Sequence, residues 1–106
     1  MSLHKMKCEA CEGGIPKLSP KEVRSYFGQL SGWKLEKGRL VKRLEFKNFL
    51  EAMRFVNKLA RLAEKEQHHP DFNLYSWNKL DVTIYTHSIK GLSKNDFILA
   101  AKIDGL

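Results

Sequence analysis

Residues 66–71 read Glu66-Gln67-His68-His69-Pro70-Asp71, and how the chain passes through them decides the fold. Upstream, Phe49, Met53, Val56, Leu59, Ala60 and Ala63 recur at helical spacing. They predict one buried stripe along a helix from about Asn48 to Glu66. Asn48 and Glu51 are spaced as a cap and its return partner. Glu51, Arg54, Lys58, Arg61 and Lys65 fall mostly off the stripe. Pro70 disfavours the helical conformation at His69, so the helix is expected to end at the histidine pair. Two adjacent residues at a helix-to-strand transition can then point different ways.

Downstream, Phe72-Asn73-Leu74-Tyr75-Ser76-Trp77 reads as a strand, with a turn near Asn78-Lys79. Leu80-Asp81-Val82-Thr83-Ile84 alternates cleanly, placing Leu80, Val82 and Ile84 inward. Thr86 continues the inward phase, and His87 stands at the strand's end. Gly91 breaks the chain, and Ser93-Lys94-Asn95-Asp96 opens a last helix carrying Phe97, Ala100 and Ala101.

On the other side of the long helix, Trp33-Lys34-Leu35-Glu36 alternates as a short strand, and Lys37-Gly38 marks a turn. A second strand follows with Leu40, Leu44 and Phe46 on one side. Lys42 interrupts that face and is expected near a sheet edge. Earlier still, Ser19-Pro20-Lys21-Glu22 is a helix start with cap, proline and capping-box partner. Val23, Tyr26, Phe27 and Leu30 share one face, and Ser31-Gly32 ends the helix. Residues 1–18 have no clear period and read as an N-terminal arm. Residues 19–106 read as a single domain. The order helix, strand, strand, helix, strand, strand, helix predicts an α+β fold: a four-stranded antiparallel sheet with helices packed on one face.

The chain has 106 residues, enough for one modest core. Its formal net charge is +7. Lys and Arg are scattered, however, and only Arg39 to Arg43 is dense, as the outer face of a strand. A solvated basic surface is expected, and a nucleic-acid partner is not. No apolar run approaches a membrane span, and the first residues lack a secretory pattern, so the expected compartment is the cytoplasm. Cys8 and Cys11 form a C-x-x-C pair, a spacing found in redox motifs and in half of a zinc site. No second pair exists and no strand–helix unit adjoins it, so a reduced segment without a metal is expected.

Three of the four histidines are His68, His69 and His87. Imidazole, with an ordinary pKa of about 6.5, gives or takes a proton near neutral pH with little bias. Taken singly, each position has a plain structural reading. His87 would be a surface or hydrogen-bonded residue, and the pair a helix-terminal feature facing the last carbonyls. Asp96, three residues after Ser93, suits a helix cap. Metal binding is not expected, because the H-x-x-x-H spacing that aligns two ligands on a helix is absent. Phe72, Tyr75 and Trp77 could line a slot for a flat ligand, although strand aromatics more often serve a core or an interface.

Together, His68-His69-Pro70, the hairpin, and the run Thr86-His87-Ser88-Ile89-Lys90-Gly91-Leu92-Ser93-Lys94-Asn95-Asp96-Phe97 resemble pterin-4a-carbinolamine dehydratases. Ser31-Gly32-Trp33 and the Cys8-Glu9-Ala10-Cys11 arm share the resemblance. The segment between His69 and His87 is about a residue longer than in many relatives, which leaves the hairpin register around Ser76 to Lys79 open.

The resemblance implies loss of water from 4a-hydroxytetrahydropterin to give quinonoid dihydropterin, recycling the cofactor of aromatic amino acid hydroxylases. It implies no metal and no redox cofactor, and a homo-oligomer, dimer or tetramer. By the same resemblance His68 and His87 carry the proton transfers, and His69 binds and orients the pterin. Asp96, Pro70 and Thr86 bind substrate or support the site. The chemistry suits these residues: hydroxide leaves well only when protonated, and the adjacent ring nitrogen must lose a proton. The alternative is a non-catalytic dimerisation module, of the transcriptional-coactivator kind, on the same fold.

Overall fold

The structure, a computed structural model, describes residues 3–6 and 16–106. Cys8 and Cys11 lie outside the described residues. Helix α1 (Pro20–Phe27) is followed by strands β1 (Lys34–Glu36) and β2 (Arg39–Glu45). Helix α2 (Phe49–Glu66), strands β3 (Asp71–Tyr75) and β4 (Lys79–Ile84), and helix α3 (Lys94–Ile103) complete the domain. Short 3-10 turns occur at Leu3–Lys5 and His87–Ile89. The sheet is antiparallel throughout, in the order β1-β2-β4-β3. The expected α+β fold and element order are present.

The alternation of apolar residues becomes the register of the sheet. Leu40 pairs with Ile84 and Leu44 with Leu80, so the inward residues of β2 and β4 stand side by side. Leu40, Leu80, Val82 and Ile84 are fully buried against Val56 and Leu59 of α2 and Phe97, Ile98, Leu99 and Ile103 of α3. Tyr26 of α1 packs its ring 5.7 Å from that of Phe97. At about 1.5–3 kcal/mol for each large apolar side chain removed from water, this single layer dominates the stability.

Both early helix starts carry the expected cap, but the Glu51 carboxylate pairs with Arg54 and does not return to Asn48. Ser19 N–H donates to Glu22 Oε1 at 3.0 Å, and Glu22 N–H donates to Ser19 Oγ at 3.2 Å. Asn48 Oδ1 accepts from Glu51 N–H at 2.9 Å.

Several details differ from the sequence reading; α1, for one, ends at Phe27 with Gly28 as its cap, ahead of the predicted Ser31-Gly32. The buried stripe of α2 is Ala52, Val56, Leu59, Ala63 and Glu66, whereas Ala60 and Phe49 are exposed. That 4-3-4-3 spacing is the face turned to the sheet, and it brings in a carboxylate at its lower end. Strand β3 stops at Tyr75, and the hairpin loop is Ser76-Trp77-Asn78. Ser76 and Trp77 both take positive φ, 49° and 58°, so the chain reverses before the predicted Asn78-Lys79.

Lys42 lies in an interior strand, but β1 pairs only with Arg39–Val41, so β2 has no neighbour on that side from Lys42 onward. Its ammonium reaches Asp104 Oδ1 at 2.5 Å, and the same oxygen accepts from the Trp33 indole at 2.8 Å. Finally, Leu3 is buried in the core against α3, although the first eighteen residues have no readable period.

Candidate active site

Helix α2 ends by turning back on itself. Gln67 takes the left-handed conformation, and its N–H and that of His68 bond to Glu64 O and Ala63 O at 3.3 and 3.2 Å. The reversal sends the His68 side chain inward. Pro70 then commits the chain to extended geometry, and β3 begins at Asp71. The two neighbouring imidazoles therefore part company: the His68 side chain is 8% exposed and that of His69 is 62% exposed.

Inside, His68 Nε2 lies 2.6 Å from Asp96 Oδ1. Asp96 is wholly buried at the N-terminus of α3, where the helix dipole favours a negative charge. Its other oxygen, Oδ2, accepts from the Thr86 hydroxyl at 2.7 Å and from the Ser93 N–H at 2.7 Å. Ser93 Oγ stands 3.1 Å from Thr86 Oγ1 and closes the cluster. Asp96 thus caps α3 with one oxygen and grips His68 with the other. The short contact between ring nitrogen and carboxylate oxygen fixes the orientation of the His68 ring. Such a buried pair costs desolvation energy, and losing one partner would leave the other uncompensated.

His87 occupies the 3-10 turn that follows Thr86 and is exposed. Its ring meets that of Tyr85 edge-on, with centroids 5.1 Å apart at 82°. Arg39 lies over the Tyr85 ring at 4.5 Å. The turn is closed at its base, where Thr86 N–H donates to Gly91 O at 3.1 Å and Gly91 N–H returns to Thr86 O at 3.4 Å. His69 Nε2 stands 3.6 Å from Glu64 Oε2 on the surface, a contact of little energetic weight.

Of the residues singled out from sequence, His68, Thr86 and Asp96 are brought into direct contact. His69 and His87 each follow a buried member of that cluster by one residue, and they face Glu64 and Tyr85. Pro70 acts on the backbone at the pair's exit. Phe72 and Tyr75 of β3 and Trp77 of the loop are exposed.

Two buried polar residues escaped the sequence reading. Ser93 was visible as a cap but not as a ligand of the cluster. Glu66, 5% exposed, faces Lys102 Nζ at 3.8 Å, and its place at the end of the 52, 56, 59, 63 series was the available signal. Among the described residues, no three His, Cys, Asp or Glu side chains form a metal-holding group. No helix among them is long and apolar enough to cross a membrane.

A buried imidazole–carboxylate pair, with one exposed imidazole following His68 in sequence and another following Thr86, is the chemical feature that this α+β domain offers. The chain belongs to the pterin 4 alpha carbinolamine dehydratase family, a hydro-lyase family whose sequence profile matches residues 16–106. A Rickettsia canadensis protein provisionally named pterin-4-alpha-carbinolamine dehydratase is 48% identical over 104 residues, covering 96% of this chain and 94% of its own. One from Rubrobacter xylanophilus with the same provisional name is 40% identical over 105 residues, covering 98% and 97%. Among solved structures, a transcriptional coactivator/pterin dehydratase from Brucella melitensis superposes with TM-score 0.77 at 32% identity, over 85% of this chain and 97% of that one. A pterin dehydratase-like protein described as a RuBisCO assembly factor in the alpha-carboxysome shares the fold, with TM-score 0.59 at 23% identity over 71% and 88%.

Proposed function

We propose that this protein removes water from 4a-hydroxytetrahydropterin to give quinonoid dihydropterin. The observation that carries the reading is the buried His68–Asp96 pair at 2.6 Å, in a chain whose family match spans residues 16–106. In the reaction the bond from carbon 4a to the hydroxyl breaks, and the oxygen leaves as water with a proton from a general acid. The neighbouring ring nitrogen gives its proton to a general base, and its electron pair forms the new double bond to carbon 4a. No net electron change occurs, so the balance requires one acid and one base and nothing further. Two groups with ordinary pKa near neutrality suit both roles, each worth about 10²–10⁴-fold in rate.

His68 and His87 carry these transfers in this reading, with His69 holding the pterin. Asp96 orients His68, Thr86 orients Asp96, and Pro70 separates the two adjacent rings. The substrate would come from an aromatic amino acid hydroxylase system in the cytoplasm. The enzyme would act as a homo-oligomer, paired through a sheet edge across a two-fold axis; β3 is one such edge, flanked by exposed Phe72, Tyr75 and Trp77.

The test is a turnover assay on the purified protein with 4a-hydroxytetrahydropterin. Acceleration over buffer supports the reading, and a rate equal to buffer with folded protein defeats it. The non-catalytic reading draws on the neighbour named transcriptional coactivator/pterin dehydratase and on the assembly-factor neighbour, whose likeness is one of fold alone.

A further inference from the structure

Lys17 and Leu18 lie against the chain that follows the His87 turn. Leu18 N–H donates to Leu92 O at 2.9 Å. The aliphatic stem of Lys17 lies so flat against Gly91 that a Cβ there would come 2.5 Å from Lys17 Cε. A side chain at 91 would require the exposed Lys17 stem to move aside. These contacts build one wall of a cleft of about 590 Å³, a volume within the range of small-molecule sites. Val23 and Arg24 of α1 form a second wall, and Leu35 with Lys37 at the β1–β2 turn forms a third.

The charge of this cleft is one-sided. Lys17, Arg24, Lys37 and Lys90 line it, and among the described residues no acidic one does. Among the described residues none of the four takes part in an ion pair. Among the described residues, the acids nearest in sequence have other partners: Glu22 at the Ser19 cap, and Glu36 with Arg43 at 2.6 and 3.0 Å. The overall charge of +7 does not by itself account for this. A second cleft, of about 570 Å³, sets Lys65 and Lys102 against Glu66 and Asp104. Between the cations of the first cleft lie Leu18, Leu35, Leu92 and the Tyr85 ring. Cations outside any ion pair among the described residues, set among apolar side chains, focus a positive potential on whatever enters.

We propose that this cleft binds an organic anion with a flat apolar body, the class of the aromatic carboxylates. The carboxylate is held among the ammonium and guanidinium groups, and the ring lies on the leucines beside Tyr85. None of the three histidines lines the cleft, so the site is separate from the His68–Asp96 pair. Its existence does not depend on the dehydratase reading.

The experiment titrates the full-length protein with 2-naphthoate and, separately, with 2-naphthylmethylammonium, following backbone amide NMR signals. Naphthoate should give saturable shifts centred on Leu35, Gly38, Lys90, Gly91 and Leu92. Its affinity should exceed that of the cationic analogue about tenfold or more and fall as salt is raised. Arg24→Glu combined with Lys37→Glu changes two exposed residues and should weaken naphthoate about tenfold with the spectrum otherwise preserved. Equal binding of the two analogues, shifts centred elsewhere, or unchanged affinity in a folded double variant would overturn the proposal. Should that variant lose its dispersed spectrum, Lys90→Glu read the same way decides the matter.

Discussion

His68 and Asp96, 28 residues apart in sequence, meet at 2.6 Å with side chains only 8% and 0% exposed. This contact joins the end of α2 to the start of α3. It is therefore both a tie between helices and the device that aims one imidazole. The two roles predict different outcomes for different substitutions.

Asp96→Ala removes the acceptor of three donors at once: His68, the Thr86 hydroxyl and the Ser93 N–H. We expect a loss of about 3–5 kcal/mol in urea unfolding, the usual cost of breaking a buried pair. Thr86→Val removes one donor and leaves the carboxylate partly answered, so it should cost about 1–3 kcal/mol.

Leu3 is 2% exposed and packs in the core beside α3. Leu3→Ala should destabilise the domain by about 2–4 kcal/mol in the same measurement, because the cavity adds to the lost transfer energy. An unchanged unfolding midpoint would mean that this turn contributes nothing to the core.

Asp104 collects Lys42, the Trp33 indole and the Ser31 N–H at the C-terminal end of α3. Asp104→Ala should lower stability by about 1–3 kcal/mol and raise the exposure of Trp33, seen as a red shift in its fluorescence. Lys42→Met should be milder, since the Ser31 N–H and the Trp33 indole would still donate to Asp104.

The Ser19 N–H and hydroxyl hold the Glu22 carboxyl below its ordinary pKa. The folded value is the lower one, so the capping contribution is fully present above the unfolded pKa. It is lost as pH falls through the folded pKa. Amide exchange in the first turn of α1 should therefore quicken at acid pH, and Glu22→Gln should abolish that dependence.

The sheet and three main helices were legible because each is marked by period and punctuation. Leu80, Val82 and Ile84 announce β4, and Ser19-Pro20 with Glu22 announces α1. Leu3 was not legible, because a single apolar residue in an aperiodic stretch has no phase. Nor was the position of the hairpin turn. Ser76 and Trp77 adopt positive φ without the glycine or asparagine that usually marks it. The site was partly legible. The inward phase placed Thr86, and Pro70 implied that His68 and His69 diverge. That Asp96 would use its two oxygens for two tasks is a matter of tertiary distance, on which local sequence is silent.

The most direct test of the account is the steady-state kinetics of His68→Ala beside the parent, both shown to be folded, on 4a-hydroxytetrahydropterin. We expect kcat to fall by about 10²–10⁴-fold. His87→Ala should act in the same way, and His69→Ala mainly through KM. If kcat of His68→Ala equals that of the parent, the buried pair is a structural tie alone and the proposed proton transfer through His68 is contradicted.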